Sequence, residues 1–444
     1  MLNISLKKID GNRRKVLTNV FWAILGKIVN MLGALFVGIL VARYLGPSSY
    51  GLMNYVISYV AIFSVFATFG LDYIEIREMS REHTHKDEIM GTSFRLRLYF
   101  ATIAEILIVL LLWVSHADYF TSAMILLYSL SLYTGCFSII RNYFTSIVKN
   151  EYVVKSEITR TIIGSAIKIV LLWIKAPVEY FIAASLFDTF LVSSGYVLAY
   201  NKLVGKIKEW KYNKQYVPFL LRESFPLLLS GAAVVIYQRI DQVMIGNMID
   251  HQSVGYFATA GKFLDLIMFL PMVLTQTVTP IVIRTREKGT KEDYEVKKRQ
   301  LVGIVTWVSI ILATVVSFFS YWLIRYTYGV LYLPAVPVLQ IMAWKTLGMA
   351  LSSSAGQVII MEGIQKWAVL KNLLGCTCCI ALNYVLLPVY GIIGAAWVTI
   401  ITTLTAGWLG NILIPSYHQI FKLQLYSLFL GWKELVYFKK IAKR

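Results

Sequence analysis

Charge is the first thing this sequence is short of. Asp, Glu, Lys and Arg make up 15% of its 444 residues, where a soluble domain carries roughly a quarter. With 57% hydrophobic residues and a mean hydropathy of +0.64, that scarcity excludes an ordinary globular domain. Cysteine is sparse too. Cys136, Cys376, Cys378 and Cys379 imply no disulfide framework, and the CTCC cluster has no His or carboxylate close by in sequence. It reads as small buried hydrophobes rather than a soft-metal site. There is no P-loop, nucleophile elbow, zinc signature or nucleotide-binding glycine fingerprint. The expectation is no metal, no cofactor and no catalytic residue, with any transport energy drawn from ion or substrate gradients. Period-two alternation is missing as well, which argues against a membrane β-barrel.

What is present is a succession of apolar runs, each near the 18 or more residues that cross about 30 Å of hydrocarbon. Twelve can be drawn, at 17–45, 51–71, 94–115, 120–140, 158–174, 178–200, 216–249, 254–283, 301–326, 336–361, 370–387 and 391–414. The basic N-terminus leads into a run too long for a cleaved signal peptide. The fold class expected is an all-α polytopic membrane protein.

The net charge of +19 would suit nucleic acid, but its distribution does not. Only Arg43, Lys175 and Arg325 fall in the connections on one side, and Lys27, Lys168, Arg239, Lys262 and Lys345 lie within spans; the rest of the 43 Lys and Arg gather at the other connections and the two tails. That asymmetry follows the positive-inside rule and places both termini in the cytoplasm, with no nucleic-acid partner. Outer loops such as GPSSY, SHADY and PVY are short, leaving no room for an external domain of the kind a glycan polymerase would bring.

Two internal echoes divide the chain. Ser49 and Gly51 recur as Ser253 and Gly255, and Pro177, Val178 and Ile182 recur as Pro388, Val389 and Ile393, at nearly the same offset. Two six-helix, pseudo-symmetric lobes follow, at 1–200 and 217–415, with a cytoplasmic connection at 201–216. Six is even, so the repeats are parallel. Residues 416–444, apolar and basic with Trp432 and Tyr437, read as a cytoplasmic interfacial tail among membrane lipids.

Ionisable residues inside spans cost a few kcal/mol each and are rarely left facing lipid. Counted from the outer ends of helices seven, eight and ten, Arg239, Lys262 and Lys345 share a layer roughly 12–15 Å deep at 1.5 Å per residue. Asp241 and Asp265 lie near it. Arg239 and Asp241 stand two residues apart and about 200° round the helix, so each must find a partner elsewhere. Lys27, on helix one, has no acid on its own helix. A central cleft with this cationic excess suits a phosphate or diphosphate; the alternative is interhelical ion pairs, Arg239 with Asp241 and Lys262 with Asp265. Lys168 and Asp188 look structural. Glu105 is a candidate proton-coupling carboxylate or a buried neutral acid. Tyr55 and Tyr59, with Tyr237 and Gln238, are the aromatic and amide groups placed to line a cavity and contact sugars, and Pro226, Pro271 and Pro280 are expected to kink helices seven and eight.

The run ARYLGPSSYGLMNYVISYVAIFSVFATFGLDYIEIRE (42–78), with YQRIDQVMIGNMIDHQSVGYFATAGKF (237–263) and LPVYGIIGAAW (387–397), resembles the Wzx-type O-antigen and polysaccharide flippases of the multidrug/oligosaccharidyl-lipid/polysaccharide (MOP) superfamily. The resemblance covers essentially the whole chain. It implies a bacterial inner-membrane protein that flips an undecaprenyl-diphosphate-linked oligosaccharide by alternating access, working beside glycan polymerase and chain-length machinery. It puts Arg239 and Asp241 in the helix-seven motif, and Asp72 and Arg77 in a motif ending helix two that would form a cytoplasmic gate. Twelve spans rather than fourteen look less like the lipid II flippase branch. The rivals are a drug antiporter of the same superfamily, which would favour carboxylates in its cavity, and a membrane glycan polymerase or glycosyltransferase.

Overall fold

The computed structural model describes residues 2–81, 85–115 and 118–434, with side chains at residue 26 and from residue 29 onward. The Lys27 side chain and Tyr437 lie outside the described residues. Among those described there are sixteen α-helices, five short 3-10 turns and no strand. In order the helices are α1 (Leu2–Thr68), α2 (Leu71–Met79), α3 (Lys86–Val114), α4 (Tyr119–Ser129), α5 (Ser131–Gly135), α6 (Ser138–Ser146), α7 (Asn150–Trp173) and α8 (Val178–Leu203). Then come α9 (Tyr216–Met248), α10 (His251–Ile267), α11 (Phe269–Lys288), α12 (Lys291–Thr327), α13 (Ala335–Met342), α14 (Lys345–Glu362), α15 (Ala368–Gly407) and α16 (His418–Leu430).

Nine helical stretches among the described residues are long and apolar enough to cross a membrane. Two of these, Val29–Thr68 and Gln365–Asn411, contain a break, at Gly46 (φ 71°) and Gly391 (φ 56°), so each carries two crossings. The 24-residue α7 is long enough to cross as well, although Glu157, Arg160 and Lys168 make it less apolar. With it the crossings match the twelve runs read from the sequence. This is a multi-pass, all-helical membrane protein.

The hinges fall on glycine more than on proline. Left-handed φ at Gly46 and Gly391 is open to a residue without Cβ; Gly46 directly precedes Pro47, and Gly391 follows Pro388 by three residues. By contrast α9 runs through Pro226 and α11 through Pro280 as continuous helices, and only Pro271 lies near a break, that between α10 and α11 at Met268. A helix whose remaining hydrogen bonds survive can absorb a proline with a slight bend.

The chain forms two compact units, one of Met1–Leu45 with Val56–Ala232, the other of Gly46–Tyr55 with Ala233–Arg444. In the first, α2 packs on α6 and α7 on α8 around Met90, Ile139, Phe144 and Tyr200. In the second, α12 packs on α14 and α16 around Leu301, Val305, Val358 and Tyr417. The tail helix α16 is tied in by a buried amide. Gln424 Nε2 donates to the carbonyls of Leu351 (2.9 Å) and Gly407 (2.8 Å), and its Oε1 accepts from Asn411 Nδ2 (2.8 Å).

The short piece 46–55 joins the second unit through backbone contact that only glycine permits. A Cβ on Gly51 would lie 1.6 Å from the His251 carbonyl oxygen, and one on Gly255 would lie 2.1 Å from that of Pro47. Pro47 stands to His251 as Gly51 stands to Gly255, at one constant offset, so the contact is self-complementary between the two repeats. Apolar surface gives little drive for helix association in lipid, and small residues that let backbones touch supply it instead.

Gly51→Ala and Gly255→Ala should therefore each lower stability by about 1–3 kcal/mol, read as an earlier thermal unfolding transition in detergent. Gly38→Ala is the control, because a Cβ there meets nothing within 4 Å. An unchanged transition in both test variants would contradict the close backbone contact.

Candidate functional site

The second unit encloses a cavity of about 240 Å³. Helix α9 contributes Gln238, Arg239, Asp241 and Gln242 to it; α10 contributes Ala258, Gly261, Lys262 and Asp265; Lys345 and Met349 come from α14 and Asn54 from α1. On α10 the positions follow i, i+3, i+4, i+7, which is one helical face. The three cations expected to share a layer do share this cavity, and both carboxylates and Gln238 join them. Among the ionisable lining residues, cations outnumber carboxylates three to two.

Arg239 and Asp241 do not pair with each other. Asp241 is 1% exposed, and α15 satisfies it: Asn383 Nδ2 donates to its Oδ1 at 2.6 Å and the Cys379 thiol at 3.3 Å. Lys345 is the cation whose field acts on it. Asn383 Oδ1 is buried without a hydrogen-bond partner among the described residues. Arg239 is half-buried and lies in no ion pair among those residues. Sequence reading missed Asn54, Gln242, Cys379 and Asn383. For Gln242 a signal existed, since it stands at i+4 from Gln238 on an otherwise apolar helix.

The other candidates lie elsewhere. Glu105, on α3 in the first unit, accepts a hydrogen bond from Ser129 Oγ at 2.7 Å. Tyr59 packs its ring on Phe63 in that unit. Tyr55 belongs to the second unit, where its hydroxyl donates to Asn247 Oδ1 (2.6 Å) and its ring lies against Gly246 and His251, away from the cavity lining. Lys168 pairs with Asp188 across α7 and α8.

Asp72 and Arg77, the two residues of the expected gate motif, take different partners. Asp72 accepts from Arg97 Nη2 (2.8 Å) and Asn142 Nδ2 (2.7 Å), whereas Arg77 binds Glu78 (2.9 Å) and Glu223 (3.0 Å). Arg97, counted among the connections in the sequence, is fully buried on α3 and also holds Glu75 at 2.7 Å. Burial works to raise the Asp72 pKa, but the Arg97 charge and the Asn142 and Arg97 hydrogen bonds hold it below the usual carboxylate value. Its stabilising contribution is thus complete above that usual value, about 3.9, and fades as pH falls through the depressed one.

The fold is that of MOP-superfamily transporters. It aligns with an inward-facing multidrug-resistance MATE transporter of that superfamily over 89% of this chain and 99% of the other, with a TM-score of 0.67 at 14% identity. It aligns with the lipid II flippase MurJ, inward closed, over 95% and 93%, with a TM-score of 0.67 at 18% identity. A MOP transporter from Pyrococcus furiosus, described by a reversed binding-pocket polarity, aligns over 91% and 96% with a TM-score of 0.56 at 14% identity. No curated protein matches. Within this class the chain belongs to the polysaccharide biosynthesis protein family, whose family model matches residues 16–286; the MatE model matches 226–385.

Removing Arg97 leaves the buried Glu75 without its counter-charge and Asp72 with only the more distant Arg141 (3.8 Å), so Arg97→Met should cost about 3–5 kcal/mol, measured as loss of folded protein on heating. Arg239→Met, in the cavity, should cost far less. Equal stability of the two variants would show that Arg97 is not the charge on which the first unit depends.

Proposed function

We propose that the protein is a flippase for a polyisoprenyl-diphosphate-linked oligosaccharide, an undecaprenyl-linked repeat unit of O-antigen or a related surface polysaccharide. It would act by alternating access in the bacterial inner membrane, with both termini cytoplasmic. The observation that carries this is the convergence of Arg239, Lys262 and Lys345 on one cavity. A diphosphate there meets an Arg fork and two Lys point charges, the ligands that suit phosphate oxygens best. Gln238, exposed on α9 in the same lining, offers an amide to the first sugar. Membership of a polysaccharide biosynthesis family supports the same substrate class, as does the likeness to a flippase fold. The reading assigns transport and no catalytic residue.

Asp241 is the group we assign to coupling. It is a buried carboxylate whose two donors, Asn383 Nδ2 and the Cys379 thiol, both meet Oδ1, and Asn383 Oδ1 is left without a partner among the described residues, so the group can take a proton or a small cation from a gradient. The gate assigned to the end of helix two becomes two elements, Asp72 on Arg97 and Arg77 on Glu223.

The MatE match over 226–385 favours one rival, an antiporter for small molecules. A cavity built for cationic drugs would carry carboxylate excess, the reverse of the three-to-two balance here.

The test is reconstitution in liposomes with undecaprenyl-diphosphate oligosaccharide, following its appearance on the far side. Translocation should depend on the protein and fall at least about tenfold in Arg239→Ala and Lys345→Ala, with Arg239→Lys keeping part of it. Asp241→Asn should leave substrate binding intact and abolish the response to an imposed proton or sodium gradient. Full translocation by both alanine variants would falsify the cationic-cavity reading; efflux of an organic cation without lipid movement would establish the antiporter.

A further inference from the structure

Away from the cavity, the second unit buries a cation that nothing in its own surroundings neutralises. Lys371, at the start of α15, is 5% exposed. Its stem lies against Gly410, where a Cβ would come within 3.1 Å of Lys371 Cγ. Among the described residues it enters no ion pair or hydrogen bond, and no neighbouring charge acts on it. The sequence explains why. Between Glu362 and Arg444 the only acid is Glu434, and Glu434 packs on Gly303 of α12. Lys371 also sits at the positive end of the α15 dipole, where a cation is disfavoured and an anion favoured. Enclosing an ammonium without a counter-charge is costly, so the position calls for an anion from outside the chain.

Two further polar groups are left over at the same level. Helix α15 breaks at Gly391. Lys371 precedes that glycine and Trp408 follows it by similar lengths of helix, roughly 30 and 25 Å at 1.5 Å per residue, close to one hydrocarbon thickness. Both therefore stand at the membrane face proposed as cytoplasmic. Trp408 Nε1 and Asn411 Oδ1 are each buried without a hydrogen-bond partner among the described residues. The other end of the Asn411 amide fixes its orientation, since Nδ2 donates to the Gly407 carbonyl (3.2 Å) and to Gln424 Oε1 (2.8 Å). The Asn411 N–H bonds the Trp408 carbonyl at 3.0 Å in a 3-10 turn, and side chains at i and i+3 of such a turn eclipse. The corner around Gly410 thus offers an ammonium and an indole N–H as donors and one amide oxygen as acceptor.

We infer that this corner seats the headgroup of an anionic glycerophospholipid, of which phosphatidylglycerol is the type that fits. Its phosphate accepts from the Lys371 ammonium and the Trp408 N–H, and a glycerol hydroxyl donates to Asn411 Oδ1. Basic pockets between helices on the cytoplasmic side bind such headgroups, and indole rings favour the headgroup level. A phosphatidylcholine headgroup brings its own cation towards Lys371 and has no hydroxyl for Asn411. Trp408 stacks on Phe421 of α16 with ring centroids 5.7 Å apart, and Asn411 holds Gln424 of the same helix. The bound headgroup therefore braces both ends of α15 and, through them, the tail helix. The site is separate from the cavity and independent of what the cavity transports.

The test uses the full chain, delipidated in detergent, with phosphatidylglycerol, phosphatidylcholine or inorganic phosphate added. Native mass spectrometry of the wild-type chain should show phosphatidylglycerol retained over phosphatidylcholine at least about tenfold, the change expected for one charge-assisted hydrogen bond. Phosphatidylglycerol should also raise the thermal transition. Lys371→Gln should abolish the preference, and Trp408→Phe, which keeps a stacking ring and removes only the N–H, should weaken it. Lys366→Gln, at an exposed lysine nearby, should leave it unchanged. Equal retention of the two lipids would overturn the inference, and that arm needs only the wild-type chain. A loss in Lys366→Gln as large as in Lys371→Gln would overturn it too, making the preference a matter of diffuse surface charge. Stabilisation by inorganic phosphate equal to that by phosphatidylglycerol would replace the lipid with a free anion. None of these outcomes touches the flippase reading, which translocation tests.

Discussion

Lipid offers an ionised side chain neither water nor a counter-charge, and leaving one in the middle of the bilayer costs about 2.5–3.5 kcal/mol even on the most lenient scale. Every charge that this chain carries into its helices must therefore be enclosed by other helices, and the way it is enclosed determines what it can do. In the first unit two clusters spend their charges on one another. Arg97 holds Glu75 and Asp72 with Asn142 beside them, and Lys168 holds Asp188. Such clusters fix helices in place and have little left for a ligand. In the second unit, Arg239, Lys262 and Lys345 surround an open volume together with Asp241 and Asp265. That surplus of positive charge over an open space is what the proposed binding role rests on.

Enclosure demands close helices, and hydrophobicity does not draw helices together in hydrocarbon. The chain relies on contact without side chains. Gly51 and Gly255 bring the starts of two symmetry-related helices to backbone distance, and Gly246 lets the Tyr55 ring lie flat on α9 one turn from the cavity wall. The residue that sends Asn54 into the cavity is thus on the same short piece, Gly46–Tyr55, that these glycines seat in the second unit. Gly46, with its left-handed φ, is where that piece parts from the helix before it. Loss of either glycine contact would displace a cavity residue without touching the cavity.

The spans were legible because lipid imposes a length and an apolar composition that few sequences meet by chance. The cavity cations were legible for a related reason: a charge in such a run cannot face lipid, and counting residues from the helix end gives its depth. Neutral polar residues carry no such signal. Asn383 and Cys379 in an apolar helix look like ordinary packing, yet they decide the environment of Asp241. Arg97 and Arg160 resembled loop residues because each stands at the cytoplasmic end of its apolar run, where loop charge gathers, whereas both lie well inside helices that begin about eight residues before that run. Asp72 and Arg77 are five residues apart, which on a helix is neither i+3 nor i+4, and each turns to a different helix for its partner. Glu105 and Tyr59 sat at suitable depths, but depth does not specify which unit a side chain faces.

An amphipathic lipid cannot cross a membrane through one uniform environment, since its headgroup needs charge and its tail must stay among apolar groups. In the second unit the chain from Gln340 to Met349 borders a cationic cavity on one side and an apolar hollow on another. Met342, Lys345 and Met349 line the first and Ile341, Trp344 and Leu347 the second, about 130° apart at 100° per residue. The i to i+3 turn around Trp344 lies where the two sides meet, and a tightened turn within a helix often marks a hinge. Lys345 and Trp344 are neighbours on that backbone, so a shift of the turn would move a cavity residue and an apolar one together.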